Sequence, residues 1–189
     1  VRGDPRVLVA RRRVVRADLF LAVLVDCSAS MSLGDNIEKA KLFGTLIAEA
    51  ARGLAGVDVR LFGFTDTTLW DAGTAETCAV HRLRTEGGNN DAAALWHAAP
   101  LALASTRSAR LLVMISDGSP TSFSVEALRA LVARLTTRMR ISCAQVAVRS
   151  IEHPCFPRYV ELAEGELGKA VPRFCGILER LVGAALHGG

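Results

Sequence analysis

The chain has 189 residues, half of them hydrophobic but only 5% aromatic, enough for one domain built around an aliphatic core. Much of its net charge of +4 sits in Arg11-Arg12-Arg13 and Arg16 without interleaved aromatics, which argues for a solvated sheet edge and against nucleic-acid binding. No stretch reaches the ~18 apolar residues of a membrane span, and the apolar run after the first arginines ends in Asp26 without a small-residue cleavage site, which argues against a signal peptide.

Residues 1–17 read as an extension, with a lead-in strand over Arg6–Val15. Residues 18–187 read as one domain. Leu19–Asp26 opens with seven apolar residues and reads as a strand buried on both faces. A helix follows over Asn36–Arg52, ended by Gly53 and Gly56. Val57–Phe64 alternates as a strand, and Thr68–Asp71 reads as a short antiparallel edge strand. Within Thr74–Thr85, Cys78–Leu83 reads as extended. Asp91–Ala104 is an alanine-rich helix that Pro100 should kink or end. Leu111–Ser116 is a central strand, Ser124–Arg138 an amphipathic helix with a solvated arginine face, and Ile141–Val148 the next strand. A rigid loop at 153–157, a short strand Tyr159–Leu162 and a closing helix Glu166–Leu186 complete the pattern. The alternation predicts an α/β fold: a doubly wound, mostly parallel sheet with helices on both faces and one antiparallel edge strand.

Chemistry concentrates where two apolar strands end. The first ends in Asp26-Cys27-Ser28-Ala29-Ser30, a carboxylate followed by two hydroxyls at steps of two. The Leu111 strand ends in Ser116-Asp117-Gly118. In an open parallel sheet, ligands bind at the carboxyl ends of strands where strand order reverses, so these loops should share a rim with Gly87–Asp91. Asp26 and Asp117 would repel there, and nothing else in these loops is basic. A hard divalent ion held by oxygens resolves the repulsion: Mg²⁺ as the cellular default, with Mn²⁺ or Ca²⁺ as substitutes.

Asp-x-Ser-x-Ser, the Ser116-Asp117-Gly118 loop and the strands that carry them resemble the metal-ion-dependent adhesion site of von Willebrand factor A (VWA) domains. That family usually places a threonine six residues before a helix leucine. Counting back from Leu95 gives Asn89, so this chain departs from the pattern. Asn89 and Asp91 are the two candidates for the third loop. Register favours Asn89, with Asp91 as cap of the Ala92 helix. The resemblance implies direct ligation by Ser28 and Ser30, contact through water by Asp26 and Asp117, and completion of the metal shell by a carboxylate from a partner protein. Asn-x-Asp before Ala-Leu with a nearby Trp, Leu61-Phe62-Gly63-Phe64-Thr65 and Val113–Pro120 are further similar to the C-terminal domain of the CobT-type subunit of aerobic cobaltochelatase. That resemblance implies an AAA+ ATPase as partner.

The leading expectation is therefore a cytoplasmic, metal-dependent protein-interaction domain and adaptor, not an enzyme. One alternative is a subunit of a metal-insertion chelatase, against which stands the short interval between Phe64 and Asn89. Another is a metal-dependent phosphohydrolase. Its haloacid-dehalogenase type needs Asp-x-Asp, and Ser28 stands at the second position. The five cysteines are odd in number and form no Cys-x-x-Cys pair, which fits a reducing compartment and argues against a zinc site and a disulfide framework. Cys27 reads as a small side chain turned to the sheet, His81 and His97 as surface or packing residues, Trp96 as core, and Asp66 as a turn residue.

Overall fold

The computed structural model describes residues 18–118, 120, 122, 124–152, 154–162, 172, 175 and 176. The expected lead-in strand lies outside these residues, as does nearly all of the expected closing helix. In chain order the elements are β1 (Leu19–Asp26), α1 (Asn36–Ala51), β2 (Val57–Phe64), β3 (Leu69–Gly73), α2 (Asp91–Ala104), β4 (Ala109–Ser116), α3 (Val125–Arg138), β5 (Ser142–Ala147) and β6 (Tyr159–Glu161). The sheet runs β3-β2-β1-β4-β5-β6. All pairings are parallel except β2 with β3, which is antiparallel, as expected.

Period-two alternation along β1 builds both halves of the core. Leu19, Leu21, Val23 and Val25 pack with Phe43, Ile47 and Ala48 of α1. Phe20, Ala22 and Leu24 pack with Leu95, Ala98 and Ala99 of α2 and with Leu128, Val132 and Leu135 of α3. Every residue of β1 is buried. Each large aliphatic side chain removed from water in this way contributes about 1.5–3 kcal/mol. The alanines of α2 allow that helix to lie close against the sheet.

Two local expectations change. Cys78–Leu83 is not extended: a 3₁₀ turn spans Val80–Arg82. Val80 and Leu83 are both buried, and residues three apart on a 3₁₀ turn share a face, so the turn delivers both to the core. Pro100 does not end α2, which continues to Ala104. Its exposed position places the missing ladder bond on the side of the helix that faces water.

The sheet order sets the location of the site. From β1 the chain proceeds to β2 on one side, and β4 then lies on the other side of β1. The crevice between the carboxyl ends of β1 and β4 is the switch point of the sheet.

Candidate metal centre

Asp26 is the last residue of β1 and is fully buried. Its Oδ1 accepts the backbone N–H of Ser28 at 2.8 Å, an Asx-type turn that directs the chain off the strand. A 3₁₀ turn over Ala29–Ser32 follows. This brings the Ser28 and Ser30 hydroxyls to 3.1 Å from each other. Ser30 Oγ donates to Asp117 Oδ1 at 3.2 Å, which joins the first loop to the residue after β4. Ser28 and Asp117 are buried, and Ser30 is half-buried, on the open side of the group.

The third loop is stitched to the first by backbone bonds. Glu86 N–H donates to the Cys27 carbonyl at 2.8 Å, and Ala29 N–H to the Gly87 carbonyl at 2.9 Å. Asp66 N–H donates to the Gly88 carbonyl at 2.9 Å. Gly87 has φ +60°, a backbone conformation that favours glycine, and a Cβ there would press on Asp66 Oδ1 at 2.8 Å. Asp66 is thus a wall of the third loop as well as a turn residue. The loop carries Asn89, whose Nδ2 donates to Asp26 Oδ2 at 3.4 Å and whose carbonyl accepts from Ser122 Oγ at 2.6 Å.

The structure reassigns the helix cap. Asn90, not Asp91, caps α2: its side-chain oxygen accepts from Ala93 N–H at 2.9 Å. Asp91 is buried at 2% exposure, and its Oδ2 has no hydrogen-bond partner. Asn89, for its part, turns its amide nitrogen to Asp26. The local pattern Asn-Asn-Asp offers three possible caps by residue type, and the fold uses Asn90.

The carboxylates respond to one another. Burial raises the pKa of Asp26; the Asp117 charge adds to this, and hydrogen bonds from Ser28 and Asn89 offset part of it. Burial, with the charges of Asp26 and Asp117, pushes Asp91 up to about 7. Asp117 Oδ2 is buried without a hydrogen bond, 3.9 Å from Arg149 Nη2. These loops carry no basic residue of their own, but Arg149, two residues past β5, brings one to the Asp117 loop. Arg149 Nε donates to the Asp117 carbonyl. The signal was present in the chain, since every parallel strand ends on the same rim.

Two buried carboxylate oxygens that accept no hydrogen bond, with a pair of hydroxyls joined to Asp117, form a donor set of hard oxygens that fits a hard divalent ion. Among the described residues, no three His, Cys, Asp or Glu side chains are grouped to hold an ion by themselves. Hydroxyls and water would have to complete the shell, which is the chemistry of Mg²⁺ more than of zinc.

Cys27 is buried, and burial together with the Asp26 charge pushes its thiol up to about 12, so it packs as a small apolar side chain. Trp96 is not core: it is half exposed, with the Arg134 guanidinium 5.8 Å over its ring. His97 is exposed and meets Phe62 edge-on at 5.8 Å.

No family model matches the chain, and no curated protein matches it. Solved structures do. The SpRpn10 VWA domain superposes with a TM-score of 0.62 at 13% identity, over 80% of this chain and 93% of that one. Proximal thread matrix protein 1 from the mussel byssus, with a zinc-occupied MIDAS motif, gives 0.65 at 13% identity, over 90% of this chain and 46% of that one. A von Willebrand factor type A structure from Catenulispora acidiphila gives 0.58 at 14% identity, over 88% and 43%. Together with the strand order, the antiparallel edge and the helices on both faces, these likenesses show that the chain has the fold of VWA domains.

Proposed function

We propose that this domain is a metal-ion-dependent protein-interaction module. The observation that carries the reading is the pair of buried carboxylate oxygens of Asp91 and Asp117 that accept no hydrogen bond, in a site where Ser30 joins Ser28 to Asp117. Ser28 and Ser30 would hold the ion directly, Asp26 and Asp117 would hold its waters, and Asp91 or Asn89 would supply the third loop. A bound Mg²⁺, or Mn²⁺ or Ca²⁺ in its place, would supply an electrophilic point to which a partner's carboxylate can be drawn. The domain's own residues orient the two hydroxyls, bury Asp26 and leave Ser30 half-buried. The zinc-occupied MIDAS motif in the mussel-byssus relative supports metal binding on this fold.

The expected partner is a protein that offers an acidic side chain and works with an AAA+ ATPase, in the cytoplasm. This finer reading rests on the resemblance to the cobaltochelatase subunit. A non-catalytic role fits Ser28, which cannot serve as the second acid of a phosphohydrolase. A chelatase subunit is the second reading, and the same partner ATPase would be expected for it.

Calorimetry with Mn²⁺ tests the metal. Wild type should bind weakly and saturably, and an Asp26→Ala, Ser28→Ala double variant should not. Equal binding by both would refute the assignment. The ATPase pairing is tested by pull-down of purified AAA+ ATPases: binding should require both Mg²⁺ and an intact Asp117.

A further inference from the structure

The loop that carries Asp117 is held from β5 by two side chains. Gln145, buried within β5, donates Nε2 to Ser116 Oγ at 2.9 Å and to the Gly118 carbonyl at 3.4 Å. Arg149 donates Nε to the Asp117 carbonyl. Consecutive carbonyls of the loop are thus fixed by one strand and its extension. Arg149 also lies close to Gly118: a Cβ there would sit 3.3 Å from Arg149 Nη2. The result is a guanidinium held beside a buried carboxylate oxygen that has no hydrogen bond, at 3.9 Å. The Arg149 side chain is 56% exposed, so its other face is open to solvent.

The charge of Asp117 acts on both Asp26 and Asp91, and Arg149 brings a positive charge beside Asp117. A divalent ion and Arg149 are therefore rivals for Asp117. We propose that Arg149 is a tethered counter-ion of this centre: it positions Asp117 through the backbone and, by its charge, weakens the affinity for the divalent ion. The proposal rests on the metal reading above for its second half only. The Arg149–Asp117 coupling exists with or without an ion. Because like charges oppose one another at short range, removing the guanidinium charge should strengthen cation binding. Partial exposure limits the effect to about three- to tenfold.

The experiment compares wild type, Arg149→Gln and Arg149→Lys by Mn²⁺ titration, read by calorimetry or by the paramagnetic signal of free Mn²⁺. Arg149→Gln should bind Mn²⁺ about three- to tenfold more tightly. Arg149→Lys keeps the charge and loses the guanidinium fork, and should stay within about twofold of wild type. Equal or weaker Mn²⁺ binding by Arg149→Gln overturns the proposal. A second measurement uses metal-free protein with chelator present. Arg149→Gln should lower Tm in the wild-type background and lower it less, or not at all, in an Asp117→Asn background. The same drop in both backgrounds means that the two residues are not coupled and also overturns the proposal. If no protein binds Mn²⁺, the metal reading fails, and the thermal cycle alone decides the role of Arg149.

Discussion

Asp91 offers the sharpest test of the site's electrostatics. Its carboxyl is moved from an ordinary value of 3.8 up to about 7, first by burial and then by the charges of Asp26 and Asp117. Full ionisation of such a group in the folded protein removes on the order of 4 kcal/mol of stability relative to the unfolded chain. Because the folded value lies above the unfolded one, the native state holds the extra proton between them. Stability from this group is therefore complete below about pH 4, is lost as pH rises, and levels off beyond about pH 7. Between about pH 5 and about pH 8 the loss comes to about 2–3 kcal/mol. Asp91→Asn keeps the shape and abolishes the titration. Urea denaturation of metal-free protein across this range should show a falling stability in wild type and a much flatter profile in the variant. Asp26 is displaced in the same direction but is present in both proteins, so the difference between the profiles reports Asp91. At about pH 8, saturating Mn²⁺ should stabilise wild type more than Asp91→Asn, since binding to the native state alone raises stability by mass action. Parallel pH profiles for the two proteins would refute the reasoning, because they would mean that Asp91 ionises in the fold as freely as in water.

Other outcomes follow from the same geometry. Asn90→Ala removes the cap on Ala93 and should cost about 1 kcal/mol in denaturant titrations, with Mn²⁺ affinity unchanged; a loss of affinity would give Asn90 a role in the centre. Gly63→Ala places a Cβ 2.4 Å from Leu83 Cδ2 and 3.0 Å from Cys27 Sγ, and overpacking of this kind should cost about 1–3 kcal/mol, visible as a lowered Tm. The Cys27 thiol, pushed up to about 12, should resist alkylation in folded protein at neutral pH and react only on unfolding, as mass spectrometry of labelled peptides would show.

The frame of this molecule was legible in its sequence. Continuous apolar runs at Leu19–Val25 and Leu111–Ile115 can be satisfied only by strands covered on both faces, and the helices between them impose parallel pairing. Alternation along Val57–Phe64 and the turn at Asp66-Thr67-Thr68 indicated the antiparallel edge, which forms one residue later than expected. The loop Asp26-x-Ser28-x-Ser30 is also local: a carboxylate two residues before a backbone N–H makes its own turn.

Tertiary structure decided what the charges of the rim do. Asp91 and Asn90 are both competent caps by type; the fold uses Asn90 and leaves Asp91 buried within reach of the charges of Asp26 and Asp117. Trp96 follows a core leucine but lies on the outer face of α2, where Arg134 of α3 reaches it. Arg149 is 32 residues from Asp117 in sequence and meets it because β5 pairs with β4. Hydrophobic patterning records which faces are buried, since burial is a property of each residue along its own element. Which charges meet is a property of strand order and loop path, and Coulomb interactions over a few ångströms depend steeply on both.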